Sequence, residues 1–177
     1  MTSQTAIPQL ILTLLNPEAT RHLGYCLSRL PAGSTLLLQG NLGSGKTTLA
    51  QGLGQGLGIA EPLASPTFAL LHEYHDGRVP LYHFDLYRLM PEQVTALAPE
   101  TYWEGLEMLP GIVLIEWCDR LPYTPAQFLT IALSPITPDS AGDPAFDPGR
   151  TATLIPANDC EIDLEAIAVA FEEGYFK

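Results

Sequence analysis

Ser34-Thr35-Leu36-Leu37-Leu38-Gln39-Gly40-Asn41-Leu42-Gly43-Ser44-Gly45-Lys46-Thr47-Thr48 decides the fold. Its first six residues form a short apolar run, the profile of a buried parallel strand. Gly40 to Thr47 then match G-x-x-x-x-G-K-[ST] at every fixed position. Thr47-Thr48-Leu49-Ala50-Gln51 leaves as a helix. Strand, glycine loop and helix in that order are the context in which the motif cradles phosphate. Glycines let the backbone adopt dihedrals that a side chain forbids, so the N–H groups turn inward as an anion nest. The helix adds the partial positive charge of its N-terminus. Leu42, Gly43, Ser44, Gly45, Lys46, Thr47 and Thr48 are therefore the expected nucleotide-binding residues. Lys46 is assigned to the β- and γ-phosphates, and the Thr47 hydroxyl to Mg²⁺. The bland alternative, a glycine-rich turn that binds nothing, does not explain the flanking strand and helix.

Working outward, Gln9 to Leu15 reads as a strand. Asn16 reads as the N-cap and Pro17 as the first residue of a helix reaching about Leu30. Gly52, Gly54, Gly56 and Gly58 alternate through the helix after the loop, which predicts close packing of that helix on the sheet with Gly58 as its C-terminal cap. Pro62 to Phe68 is turn-rich. Ala69–Tyr74 and Leu81–Leu86 read as a hairpin around Asp76-Gly77. Short helices are expected at 91–97 and 101–106. Gly111 to Glu116 is an apolar run ending in an acid, the pattern of a central parallel strand that delivers a carboxylate to its C-terminal edge. Strands are expected at 127–133 and 150–155, a long exposed loop at 134–149 and a closing amphipathic helix at 162–171. The fold class is a three-layer α/β P-loop NTPase domain with a mixed, mainly parallel central sheet and antiparallel hairpins, as a single domain over residues 1–177.

Composition narrows the function. Twenty acidic residues against eight basic ones give a formal charge of −12. Nucleic-acid binding rests on phosphate neutralisation by Lys and Arg, so the chain is poorly equipped to hold RNA or DNA by itself. The three cysteines, Cys26, Cys118 and Cys160, contain no C-x-x-C pair, which argues against a disulfide framework or a zinc site. His72 and His75 lack companions and read as ordinary strand or loop histidines. No stretch approaches the roughly 20 apolar residues of a membrane span, and no signal peptide is visible. The expected location is the cytoplasm.

A nucleotide site needs carboxylates as well as a loop, to complete the metal shell or orient water. Glu116 ends Ile112-Val113-Leu114-Ile115, and Asp85 ends Leu81-Tyr82-His83-Phe84. Ligands bind at strand C-termini in sheets of this kind, so both acids can converge on the phosphates. The alternative for each is a surface acid at a strand end.

Together, GNLGSGKTT (Gly40 to Thr48), SPTF (Ser65 to Phe68), HFDLYRL (His83 to Leu89) and IEW (Ile115 to Trp117) resemble the bacterial TsaE family in order and spacing across about residues 7 to 120. The C-terminal third resembles it only in form. The resemblance implies a small ATPase in the synthesis of N6-threonylcarbamoyladenosine at position 37 of tRNAs reading codons that start with A. It implies binding to the TsaD–TsaB heterodimer, contact with tRNA only through those partners, no membrane, and ATP hydrolysis that resets the transferase. By motif, Lys46, Asp85 and Glu116 become the catalytic set, and Thr47 and Glu116 the magnesium ligands. Ser65-Pro66-Thr67 resembles a switch segment. Trp117 is placed near the nucleotide or in the core, Tyr87 and Arg88 at the coupling to partners, Thr20 near the adenine base, and Arg150 near the nucleotide. Two other readings stay open: a small-molecule kinase, which the scattered arginines and missing arginine-rich lid disfavour, and a module that binds ATP and signals by shape. The absence of an N-K-x-D motif favours ATP over GTP.

Overall fold

The computed structural model describes residues 8–105, 107–136, 149–157 and 160–175. Its strands are β1 (Leu10–Leu14), β2 (Thr35–Gln39), β3 (Leu71–Tyr74), β4 (Leu81–Asp85), β5 (Ile112–Glu116), β6 (Phe128–Pro135) and β7 (Arg150–Ala157). Its helices are α1 (Pro17–Leu27), α2 (Lys46–Leu57), α3 (Pro91–Leu97), α4 (Glu100–Trp103) and α5 (Leu164–Tyr175). The strands form one sheet in the order β1-β7-β6-β2-β5-β4-β3. The centre is parallel, pairing β6 with β2, β2 with β5 and β5 with β4. Both margins are antiparallel, through β1–β7, β7–β6 and β3–β4. Among the described residues no helix is long and apolar enough to cross a membrane.

Alternation along the strands makes three layers. Leu36, Leu38, Ile112 and Leu114 turn to the face covered by α1, α2 and α5, and Leu37, Val113, Ile115, Tyr82 and Phe84 to the opposite face. Val94 of α3 and Tyr102 and Trp103 of α4 pack on that second face. Each buried large apolar side chain stabilises the fold by about 1.5–3 kcal/mol, which is why the central strands are apolar on both sides.

α1 begins as expected: the Asn16 side chain accepts from the Ala19 amide at 2.8 Å, with Pro17 behind it. The helix stops at Leu27, short of Leu30, in successive tight turns through Arg29 and Leu30. The glycines of α2 serve a different contact from the one expected. Gly52 and Gly56 face α1, where a Cβ would overlap the Arg21 carbonyl oxygen and the Ser28 hydroxyl. Gly24 of α1 answers against the backbone of Leu49, and Gly54 makes room for Leu63. The close approach is thus helix against helix, not helix against sheet. Gly58 does cap α2, at φ 79°.

Other boundaries move slightly. The helix expected at 101–106 runs from Glu100 to Trp103, and the closing helix runs from Leu164 to Tyr175. Ser134 and Pro135 extend β6 instead of opening a loop, because the ladder continues opposite Thr151 and Arg150. Residues 137–148 of that expected loop, and Leu106, lie outside the described residues.

Candidate functional site

The parallel strands β2, β4 and β5 end together, and the loop Gly40–Gly45 carries the chain from β2 into α2. Three positive φ values make the loop possible: 145° at Gly40, 79° at Gly43 and 102° at Gly45. L-residues with side chains pay roughly 1–2 kcal/mol in that region. A Cβ at Gly45 would also lie 2.7 Å from Arg150 Nη1, the movable end of that side chain, so the backbone angle is the firmer constraint there. A cavity of about 290 Å³ opens beside the loop, with Leu42, Gly43, Gly45, Lys46, Thr47 and Thr48 on one wall. Ser65, Thr67, Asp85, Tyr87, Glu116, Trp117 and Arg150 complete its lining.

Lys46 is almost fully buried. Its ammonium donates to the carbonyl oxygens of Gly40 at 2.7 Å and Asn41 at 3.0 Å, and sits 4.0 Å above the Trp117 ring. Burial pushes its pKa below the usual lysine range, while Glu116, Asp85 and Asp119 pull it back up. Trp117 reaches this position because its own backbone is left-handed, at φ 61°. It also packs on Tyr87, with ring centroids 4.8 Å apart.

The two acids are register partners across β4 and β5. Asp85 Oδ2 accepts from Ser65 Oγ at 2.8 Å and Thr67 Oγ1 at 2.5 Å, and Oδ1 accepts from the Tyr87 amide at 2.9 Å. The Ser65–Thr67 segment is thereby tied to β4. Glu116 accepts from the Thr47 hydroxyl at 3.1 and 3.3 Å and lies 3.0 Å from His83 Nε2. Hydroxyl and carboxylate oxygens of this kind suit a hard divalent cation. Among the described residues no cluster of three or more His, Cys, Asp or Glu forms a metal cage. Magnesium at phosphate sites is held by one or two protein oxygens plus phosphate and water, so the donor set fits it.

The structure therefore brings Lys46, Thr47, Thr48, Asp85 and Glu116 to one cavity. Arg150, at the start of β7, donates to the Ser44 carbonyl at 3.2 Å and also borders an adjoining cavity of about 240 Å³ with Asn41, Pro135 and Gly149. Ser44 lines that second cavity, and its buried hydroxyl has no hydrogen-bond partner among the described residues. Thr20 stands apart from both linings. It is fully buried in the first turn of α1, its hydroxyl directed to the Asn16 carbonyl at 3.4 Å and its methyl against Gly45. Arg88 lies over the exposed Phe68 ring at 4.0 Å. The contact of His83 with Glu116 went unread in the sequence. The alternation of β4 carried the signal: His83 and Asp85 share a strand face, and an apolar neighbour at position 83 would have been expected in a buried strand.

Comparison with known proteins agrees with this picture. Residues 14–140 match the family model described as "Threonylcarbamoyl adenosine biosynthesis protein TsaE". A "tRNA threonylcarbamoyladenosine biosynthesis protein TsaE" from a Nostoc species is 56% identical over 122 residues, spanning 68% of this chain and 75% of the relative. A protein of the same name from a Synechocystis species is 52% identical over 111 residues, spanning 62% and 71%. The crystal structure of Bacillus subtilis YdiB superposes with a TM-score of 0.69 at 27% identity, covering 96% of this chain and 98% of that one.

Proposed function

The chain belongs to the TsaE family, and from that premise we propose that it is a magnesium-dependent ATPase serving the threonylcarbamoyladenosine modification of tRNA. The observation that carries this reading is the meeting of Lys46, Thr47, Asp85 and Glu116 in one cavity beside the glycine loop. The loop amides and the start of α2 receive the phosphates of ATP. Lys46 exchanges the Gly40 and Asn41 carbonyls for β- and γ-phosphate oxygens. Thr47 and Glu116 would hold magnesium, which would neutralise charge on the phosphates. Asp85, steadied by Ser65 and Thr67, orients the attacking water and links it to the 65–68 segment, which senses the γ-phosphate.

Among the described residues Arg150 is the only arginine lining this cavity; Arg78 is spent on the Ser28 and Leu30 carbonyls and Arg21 lies beside Glu18. With no second arginine to stabilise the transferred phosphoryl, hydrolysis is slow alone and is raised by partners. The partners are the TsaD–TsaB heterodimer, which holds the tRNA that a chain of charge −12 would repel. The setting is the cytoplasm.

The test is phosphate release by the purified protein, alone and with its cognate TsaD–TsaB heterodimer, for wild type and Glu116→Ala. Strong stimulation that the substitution abolishes is the expected result. No stimulation by assembled partners would sink the proposal.

A further inference from the structure

Asp85 and Glu116 face each other across two strands, yet they are anchored differently. Asp85 is fixed by two hydroxyls and a backbone amide around its own strand end. Glu116 ends a strand whose other side chains are apolar, and its orientation depends on Thr47 and His83. His83 lies two residues before Asp85 on β4, so the two side chains leave the same face of the sheet, the face covered by α2. It is fully buried, and Glu116 nearly so. A carboxylate only accepts hydrogen bonds, so the 3.0 Å contact places a proton on Nε2. Nδ1 then faces the interior with no hydrogen-bond partner among the described residues. A buried polar atom left unsatisfied costs free energy, and an apolar residue would fill this strand position without that cost.

We infer that His83 is a positioning residue for Glu116. Its Nε2–H holds Oε1, and Oε2, which among the described residues meets only the Thr47 hydroxyl, is left for the divalent cation. His83 touches neither nucleotide nor metal; it acts by denying the carboxylate other rotamers. Hydrogen-bonded partners of ligating side chains commonly tune metal affinity in this way. The inference rests on the magnesium–nucleotide reading above.

The experiment measures the dissociation constant of a fluorescent ATP analogue in magnesium and in EDTA, with thermal unfolding of each protein as a check on folding. His83→Leu removes the donor at similar bulk. His83→Gln keeps an N–H near the Nε2 position, and His83→Asn is too short to reach Oε1. Wild type should bind more tightly in magnesium. His83→Leu and His83→Asn should lose about tenfold or more of that gain and stay near wild type in EDTA, while His83→Gln recovers most of it. A full magnesium gain in the Leu variant overturns the inference, as does an equal loss with and without magnesium in a folded variant. Should the Leu variant not fold, equal magnesium gains for Asn and Gln overturn it. A wild type that gains nothing from magnesium overturns the nucleotide reading itself, and the positioning role with it.

Discussion

The two ends of the parallel strands are built on opposite plans. At the carboxyl end, the 290 Å³ cavity has Lys46, Asp85, Glu116 and Arg150 in its wall, with His83 directly behind. At the amino end, a larger cavity of about 510 Å³ lies between the end of α1 and the start of α5. Leu30, Pro31, Ile162, Ile167 and Ala170 form much of it, and its charged neighbours Arg29, Glu161 and Asp163 are exposed. Among the described residues, every buried Lys, Arg, His, Asp and Glu sits at the carboxyl end. Burying an ion costs several kcal/mol before pairing offsets it. Volume alone would choose the amino end as the working site. The concentration of buried charge chooses the other, because only a ligand and its chemistry give those groups a use.

The sharpest way to break that contrast is to strip the carboxyl end of its cation. Lys46→Ala should lower partner-stimulated hydrolysis by about 100-fold or more, read as steady-state phosphate release; a loss below about tenfold would mean that the buried ammonium is structural. Gly52→Ala tests the helix packing that seats the loop. Helix propensity favours alanine by up to about 1 kcal/mol, but overpacking against a backbone carbonyl costs about 1–3 kcal/mol. A net loss of stability is expected in urea denaturation, and unchanged stability would show that α1 and α2 can separate freely.

The amino end should respond in stability and not in nucleotide binding. Tyr123, which shares a cavity wall there with Gly33 and Thr35, is pushed up to about 12 by burial and then by its hydrogen bond to Glu100. A folded pKa above the unfolded one contributes stability that is complete below the ordinary tyrosine pKa and is lost as pH rises through the folded value. Stability should therefore fall between about pH 10 and 12. Tyr123→Phe should flatten that fall; an identical slope in the variant would remove Tyr123 from the account. The smallest effect is expected for Ala166→Leu, at the exposed rim of the larger cavity. Stability should change by no more than about 0.5 kcal/mol, with ATP affinity unaltered in a direct titration. A clear change in affinity would join the two ends that the structure keeps apart.

Much of the carboxyl end was legible in the chain because it is local. The glycine loop is contiguous, Glu116 ends an apolar run, and Asp85 ends its own short strand. What escaped depends on pairing across the sheet. His83 meets Glu116 only through the register of β4 on β5. The partner of the α2 glycines is α1, which no periodicity within α2 can reveal. The turn that folds Trp117 over Lys46 needs a left-handed tryptophan, a conformation that composition does not announce. Thr20, expected near the base, shows the converse: its methyl lies against Gly45 of the loop, and burial keeps its side chain away from the cavity lining.

The most direct measurement is a calorimetric titration of ATP with magnesium into wild type and Lys46→Ala. The account predicts saturable binding at one site in wild type, weakened by about tenfold or more in the variant. Binding that is absent from wild type, or equal in the two proteins, would contradict it.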